Sequence, residues 1–264
     1  MIDKKNYSLL AHNTFGIDVR CRRFVEYGSV EEAQELVRTL TPEDGPLLIL
    51  GGGSNLLLTG DYEGTVIHSA IRFIEPLGEG RVRCGSGQEW DAFVAWCVAN
   101  GYHGAENLSL IPGECGASAV QNIGAYGAEA CNLIEEVEAV EIATGRLCRL
   151  KGSDCGYSYR QSRFKHEWRD RFLITSVTYR LSTQFDPQLD YGNIRTALAE
   201  KAITHPTAEQ MRQTIIEIRR SKLPDPKVFG NAGSFFMNPI VGEEKFRELQ
   251  AQYPQIPHYE VADA

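Results

Sequence analysis

An α+β architecture follows from three features of the sequence. Capped helices alternate with short apolar strands in the first third, a Thr-Gly turn joins two alternating strands in the middle, and a further capped amphipathic helix follows them. Arg23–Tyr27 reads as a strand, after which Ser29-Val-Glu-Glu32 is a capping box that opens a helix to about Leu40; Leu47–Leu50 then reads as a buried strand. A second unit begins near Ile71, with a strand at Arg81–Gly85 and a helix from Glu89 to Asn100. That helix places Phe93, Trp96 and Cys97 on one face and stops at Gly101. Glu136–Ile142 and Arg146–Leu150 form a hairpin about Thr144-Gly145, and Phe172–Leu181 is a strand with Val177, Tyr179 and Leu181 alternating. The middle region is thus predicted to pack helices on a largely antiparallel sheet. Thr207-Ala-Glu-Gln210 caps a helix with Met211, Ile215 and Ile218 inward, which carries Arg219 and Lys222 to its end. A last helix is expected from Glu243 to Tyr253, with Phe246 and Leu249 inward. The residues after Pro239 are too few to bury a core of their own, so the final domain reads as incomplete.

With 264 residues the chain has room for one large domain or two to three small ones. At 42% hydrophobic and 23% charged it has the composition of an ordinary soluble globular protein. A net charge of −8 without any basic run argues against nucleic-acid and anionic-membrane partners. The start, Met1-Ile-Asp-Lys-Lys-Asn, lacks an apolar signal core, and no apolar run nears the ~18 residues that span a bilayer. Seven cysteines, odd in number and without a C-x-x-C pair, fit neither a disulfide framework nor a zinc knuckle; they suit a reducing cytoplasm. No two of the six histidines stand at ligand spacing, so no metal site is expected.

Three segments could carry chemistry. Gly51-Gly-Gly-Ser-Asn-Leu-Leu57 directly follows a strand, and consecutive glycines let backbone N–H groups converge on phosphate oxygens; a plain tight turn is the other reading. Neither the dinucleotide fingerprint nor the Walker pattern fits it. Ile111–Gly127 carries four glycines and almost no charge, suited to backbone laid against a flat ligand, with Gln121 and Asn122 as amide partners. A glycine-rich surface loop fits the same composition. Gly156–Lys165 is dense in aromatics and cations, and Arg160 could clamp a carboxylate or be a solvated arginine on a turn. Tyr191-Gly-Asn-Ile194 is a weaker signal, an ordinary turn with an exposed tyrosine.

The most informative stretch is Lys222–Pro239. Its prolines (Pro224, Pro226, Pro239) and glycines (Gly230, Gly233) suit neither helix nor core strand, so it reads as a shaped loop presenting the Ser234 hydroxyl beside Phe235 and Phe236. No Gly-x-Ser-x-Gly elbow surrounds Ser234, which reads as a proton donor rather than a nucleophile.

Taken in order, Asn13–Asp18, Gly51–Leu57, Ile111–Gly127, Tyr159-Arg160-x-Ser162 and Lys222–Pro239 resemble the signatures of the UDP-N-acetylenolpyruvoylglucosamine reductases, the MurB family, in its first subtype. The resemblance implies an FAD-binding fold of the vanillyl-alcohol oxidase type. It would be split into subdomains at 1–70 and 71–222 and followed by the start of a substrate-binding domain at 223–264. It implies FAD contacts from Gly51, Gly52, Gly53, Ser54, Asn55 and Leu56, from Ile111, Pro112, Gly113, Ala117, Val120, Gln121, Ile123, Gly124 and Tyr126, and from Arg219. It implies Arg160 and Ser234 as catalytic residues, and Tyr159, Tyr191, Lys222, Asn238 and Tyr259 in the substrate pocket.

The implied reaction is NADPH-driven, FAD-mediated reduction of an enolpyruvyl ether on a UDP-sugar by a cytoplasmic, monomeric enzyme. Hydride addition at the vinyl carbon drives charge into the carboxylate, where Arg160 would stabilise it, and leaves an α-carbon basic enough for a neutral serine to protonate. Two departures stand out: Ala117 and Ala119 lie where relatives carry serine and proline, and the family's closing segment with its catalytic glutamate has no counterpart here. A flavin-binding fragment deficient in turnover, and a flavoprotein oxidase sharing only the FAD fold, are therefore the competing readings.

Overall fold

The computed structural model describes residues 1–233 and 236–258. Met1–Gly233 forms one compact unit, and the residues beyond it belong to a second that is described by itself.

The first unit opens with β1 (Ile2–Ser8) antiparallel to β2 (Arg20–Tyr27). Helix α1 (Val30–Thr39) then crosses to β3 (Leu47–Leu50), which runs parallel to β4 (Tyr62–Ser69), itself parallel to β2. The resulting four-stranded sheet has the order β1-β2-β4-β3. Next come β5 (Ile74–Gly78), β6 (Arg81–Gly85), α2 (Trp90–Ala99) and α3 (Cys115–Gln121). A two-residue ladder of β7 (Gly124–Ala125) and β8 (Ala128–Glu129) leads to β9 (Ile134–Glu141), β10 (Leu147–Lys151) and β11 (Phe172–Arg180). The five-stranded sheet β10-β9-β11-β6-β5 is antiparallel at every pairing. Helices α4 (Ile194–Glu200) and α5 (Ala208–Lys222) close this unit.

Local chemistry accounts for the boundaries. Ser29 caps α1 by accepting the Glu32 N–H at 3.2 Å, but the expected box is only half made, because the Glu32 carboxylate takes the Gly28 N–H at 2.7 Å instead. Thr207 and Gln210 complete both halves of theirs at the start of α5. Gly101, at φ +74°, ends α2 as expected. On α2, Phe93 and Cys97 are buried, whereas Trp96 is half-buried and stacks on Tyr102 at 5.6 Å.

Leu47–Leu50 was expected to be buried, yet only Leu50 is. β3 is an edge strand: Leu47 and Ile49 pack on one core cluster and Leu48 and Leu50 on another, while Leu48, Ile49 and Leu50 also border an open cleft, which leaves the run mostly half-buried. The glycine-rich run also contains a helix, α3. Gly116 costs that helix about 1 kcal/mol relative to alanine, but a Cβ there would lie 2.8 Å from the Ser86 Cβ.

The two sheets share a core. Val25, Tyr27 and Ile67 of the first, with Leu36 of α1, pack with Val140 and Leu173 of the second, and the buried Tyr27 hydroxyl donates to the Ile174 carbonyl at 2.8 Å. Behind the second sheet, the rings of Trp90, Phe93 and Tyr179 meet at 4.7 to 5.7 Å. Each ring buried this way stabilises the unit by about 1.5–3 kcal/mol.

In the second unit, α6 (Glu243–Gln252) has no fully buried residue; Phe246 and Leu249 are half-buried, and Phe246 packs on His258 at 4.6 Å. No helix among the described residues is long and apolar enough to cross a membrane.

Candidate functional site

A cleft of about 290 Å³ opens between the two sheets of the first unit. One wall is the loop after β3, with Gly51, Gly52, Gly53, Ser54, Asn55 and Leu56; the other is α3 with Ala117, Val120 and Gln121. Nine residues expected to hold the cofactor therefore face one space. The walls touch at its ends: Asn55 Nδ2 donates to Gln121 Oε1 at 3.2 Å, and Ser54 Oγ donates to the Pro112 carbonyl at 3.0 Å.

The glycines are required by this closeness. A Cβ on Gly51 would meet the Ala117 Cβ at 3.2 Å, one on Gly52 would meet the Gly113 Cα at 3.2 Å, and one on Gly53 would strike the His12 carbonyl at 2.1 Å. The loop thus forms a backbone-lined cradle that side chains would fill, the kind of surface a diphosphate uses. The cleft is also lined by the apolar and aromatic Leu48, Phe164, Trp168, Phe172 and Ile174, with Arg169 and Asp170 among them. A polar cradle leading to an apolar slot fits the diphosphate and an aromatic ring of FAD.

A second cluster lies past α3. Arg160 donates to the Gly124 carbonyl at 2.8 Å and holds φ +57°, a left-handed conformation that costs a non-glycine residue about 1–2 kcal/mol. Lys165 donates to the Arg160 carbonyl at 2.8 Å, and the adjacent Ser162 hydroxyl donates to Val120 O at 2.6 Å, fastening the Tyr159–Ser162 turn to the end of α3. Arg219 Nε donates to Leu110 O at 3.3 Å. Burial lowers the Arg219 pKa, Tyr126 and Asp91 oppose that, and the positive charge of Arg160 adds to it, so the two guanidinium groups sense one another. The Tyr126 ring meets Tyr191 edge-to-face at 6.4 Å, and Lys222 Nζ lies 3.4 Å from Asn193 Oδ1.

Of the expected cofactor residues, Ile111, Pro112, Gly113, Ile123, Gly124, Tyr126 and Arg219 do not line the cleft; they support its walls or join this cationic cluster. Tyr159, Tyr191 and Lys222 are exposed. Asn238 is exposed in the second unit, and Ser234 and Tyr259 lie outside the described residues.

The Asn13–Asp18 segment ties these parts together. Asn13 is buried and closes its own turn, donating to Leu9 O at 2.8 Å and Ile17 O at 3.0 Å while accepting from Ile17 N at 3.0 Å. Thr14 N donates to Gly53 O at 3.2 Å, while Thr14 Oγ1 donates to Asn231 O at 2.6 Å. Asn231 then shapes the turn ahead of Ser234, accepting the Gly233 N–H at 2.9 Å on its side chain.

Sequence reasoning missed Tyr27, Ser69, Ser86, Glu114, Phe164 and Trp168 on the cleft wall. Phe164, in the Gly156–Lys165 segment already noted for aromatics, with Trp168 four residues further on, was the available signal.

Residues 21–151 match the FAD binding domain family. The chain is 52% identical over 262 residues to the UDP-N-acetylenolpyruvoylglucosamine reductase of Bacteroides fragilis, covering 98% of this chain and 78% of that protein. It is 44% identical over 264 residues to the protein of the same name from Porphyromonas gingivalis, covering 98% and 78%. The crystal structure of the reductase from Thermus caldophilus superposes with a TM-score of 0.65 at 20% identity, over 94% of this chain and 79% of that one, a likeness of fold. The fold is the FAD-binding one that the five signatures implied.

Proposed function

The chain belongs to the UDP-N-acetylenolpyruvoylglucosamine reductase family, FAD-dependent oxidoreductases, and from that premise we propose how its residues divide the work. The reaction is NADPH-dependent reduction of the enolpyruvyl group of UDP-N-acetylglucosamine enolpyruvate to UDP-N-acetylmuramate, in peptidoglycan precursor synthesis. FAD, when bound, supplies the hydride.

The observation that carries the division of roles is the pairing of the glycine cradle with the Arg160–Arg219 cluster, both anchored on α3 and its flanks. Gly51–Leu56 and α3 hold the dinucleotide. Arg160, strained and backbone-anchored, is a fixed cation for the carboxylate into which the substrate's charge moves, and a pre-set charge stabilises that state without reorganisation. Arg219 sets the positive field beside Tyr126. Ser234, next in sequence after the Asn231–Gly233 turn, donates the proton to the α-carbon, while Tyr159, Tyr191, Lys222, Asn238 and Tyr259 hold the substrate. The enzyme acts as a cytoplasmic monomer, and its product serves cell-wall growth and division.

Two substitutions test the division. Ser234→Ala should leave reduction of the flavin by NADPH intact and abolish reduction of the enolpyruvyl substrate; equal loss in both halves would remove the donor role. Arg160→Gln should slow only the second half, by about 100-fold to 1000-fold as for loss of one oxyanion donor.

A further inference from the structure

His68 on β4 is almost wholly buried, with a carboxylate on each ring nitrogen: Glu26 Oε2 lies 2.9 Å from Nδ1 and Glu114 Oε1 lies 3.0 Å from Nε2. A neutral imidazole has one N–H and could donate to only one of them. Both contacts are satisfied when a proton is shared across the three groups, as imidazolium between two carboxylates or as imidazole with one carboxyl protonated. Either way the cluster carries one net negative charge, and losing the shared proton would make it two.

Glu114 ties this cluster to the cleft. It lines the wall immediately before α3, and a Cβ on Gly51 would stand 3.3 Å from Glu114 Oε2. An anion held by the Gly51–Asn55 loop would therefore lie beside the carboxylate. This step rests on the reading of that loop as the FAD diphosphate cradle. We propose that the Glu26–His68–Glu114 cluster must keep its shared proton for the diphosphate to bind, so that flavin affinity falls as pH rises.

The surroundings agree with that direction. Burial works against charge on His68, but the hydrogen bonds and charges of Glu114 and Glu26 outweigh it and raise its pKa above the ordinary value. A second negative group nearby raises it further, so the protonated cluster binds the diphosphate more tightly. The shared proton is present below the ordinary histidine range and is lost only as pH climbs through the raised value.

Other titratable groups face the cluster from each packed element. His12, with its ring 5.2 Å from that of His68, is pushed down by burial and then by the charge of His68, away from this window. Tyr7 bonds His12 at 3.3 Å. Tyr27 and Cys115, both sensitive to the Glu114 charge, are pushed up by burial. Glu26 and Glu114 therefore act as positioning residues through the proton they share with His68.

The test uses the whole chain stripped of flavin and titrated with FAD, read by quenching of flavin fluorescence from about pH 6 to about pH 9, where histidine-type groups titrate. The expected dissociation constant is flat at the acid end. It then rises toward a limiting slope of about tenfold per pH unit, that of one linked proton. Calorimetry in two buffers of different ionisation heat should show net proton uptake on binding at the alkaline end, a readout that needs no variant. Glu114→Gln and His68→Asn should each flatten the profile. A pH-independent constant with no proton uptake would overturn the proposal, as would variants that keep the wild-type slope. Folded Gly52→Leu and Trp168→Ala proteins that both bind FAD as the wild type does would instead overturn the location of the cradle, and the proposal with it.

Discussion

Thr14 and Asn231, 217 residues apart, hold one another through two reciprocal bonds: the threonine hydroxyl donates to Asn231 O at 2.6 Å and Asn231 N donates to Thr14 O at 3.0 Å. The same threonine N–H reaches Gly53 O, so the glycine cradle and the turn that precedes Ser234 share one anchor. Thr14→Val keeps the shape and removes the hydroxyl. It should cost about 1 kcal/mol of stability, the usual net value of one such bond. Flavin affinity should stay close to wild type while substrate reduction slows by about tenfold or more, because a small displacement of a reacting group is costly. Stopped-flow separation of the two half-reactions checks this, and equal slowing of both would show that the anchor serves the cradle alone.

Gly53 has no room for a side chain. At φ +60°, with a Cβ predicted 2.1 Å from the His12 carbonyl, it is constrained both by its own backbone and by its neighbour's. Gly53→Ala should lower stability by about 3 kcal/mol or more and reduce flavin retention. Gly60→Ala is the control, since nothing lies within 4 Å of its Cβ and it has no positive φ. Thermal melts of the two variants should differ widely, and matching melts would mean that the loop can shift away from His12.

Asp91 joins three elements at once. It accepts both nitrogens of the Arg212 guanidinium, at 2.7 and 2.9 Å, and the Leu110 N–H at 2.5 Å, while Leu110 O receives Arg219. Burial raises the Asp91 pKa, but the bonds from Arg212 and Leu110 outweigh it and hold the carboxyl below the ordinary range. For a depressed acid the sign is set: the stabilisation is complete above the unfolded value of about 3.9 and is lost as pH falls through the folded value. Asp91→Asn should destabilise the protein by about 3 kcal/mol at neutral pH, since it leaves a largely buried guanidinium short of its charge partner. The deficit relative to wild type should shrink in acid. Denaturant melts at neutral pH and near pH 3 would reveal it, and a constant gap would exclude the ion pair as the cause.

Most of the element types in the first unit were legible because their signals are local. Capping residues, Gly101 and the Thr144-Gly145 turn mark boundaries without reference to the rest of the chain. β1 and β4 were missed for opposite reasons. β1, Ile-Asp-Lys-Lys-Asn-Tyr-Ser, is a polar edge strand with little apolar alternation, whereas β4 is almost continuously buried and so shows no alternation either. The cradle was legible from its glycines, which record the close approach of α3. Glu114 and His68 were not, because nothing in their spacing announces that residues 46 apart share a proton. The sequence likewise predicted a buried β3, since an apolar run does not reveal that its strand stands at a sheet edge beside a cleft.

Trp168 offers a test of the far end of the cleft. Its ring meets Phe164 at 5.2 Å and Phe172 at 5.6 Å, both near edge-to-face, and the guanidinium of Arg163 lies 5.4 Å from it. The three rings line the same cleft as the glycine loop, so a flat base can lie against their apolar surface while its diphosphate reaches the backbone N–H groups. Trp168→Ala would remove about 1–3 kcal/mol of stacking per base, which is a loss in FAD affinity of about tenfold to 100-fold. Trp168→Phe should retain most of it. ADP competes for this end without a flavin ring, so its affinity should fall by the same factor, whereas FMN, which has no adenine, should be indifferent. If FMN weakens and ADP does not, the aromatic slot holds the flavin ring and the dinucleotide runs through the cleft in the opposite sense.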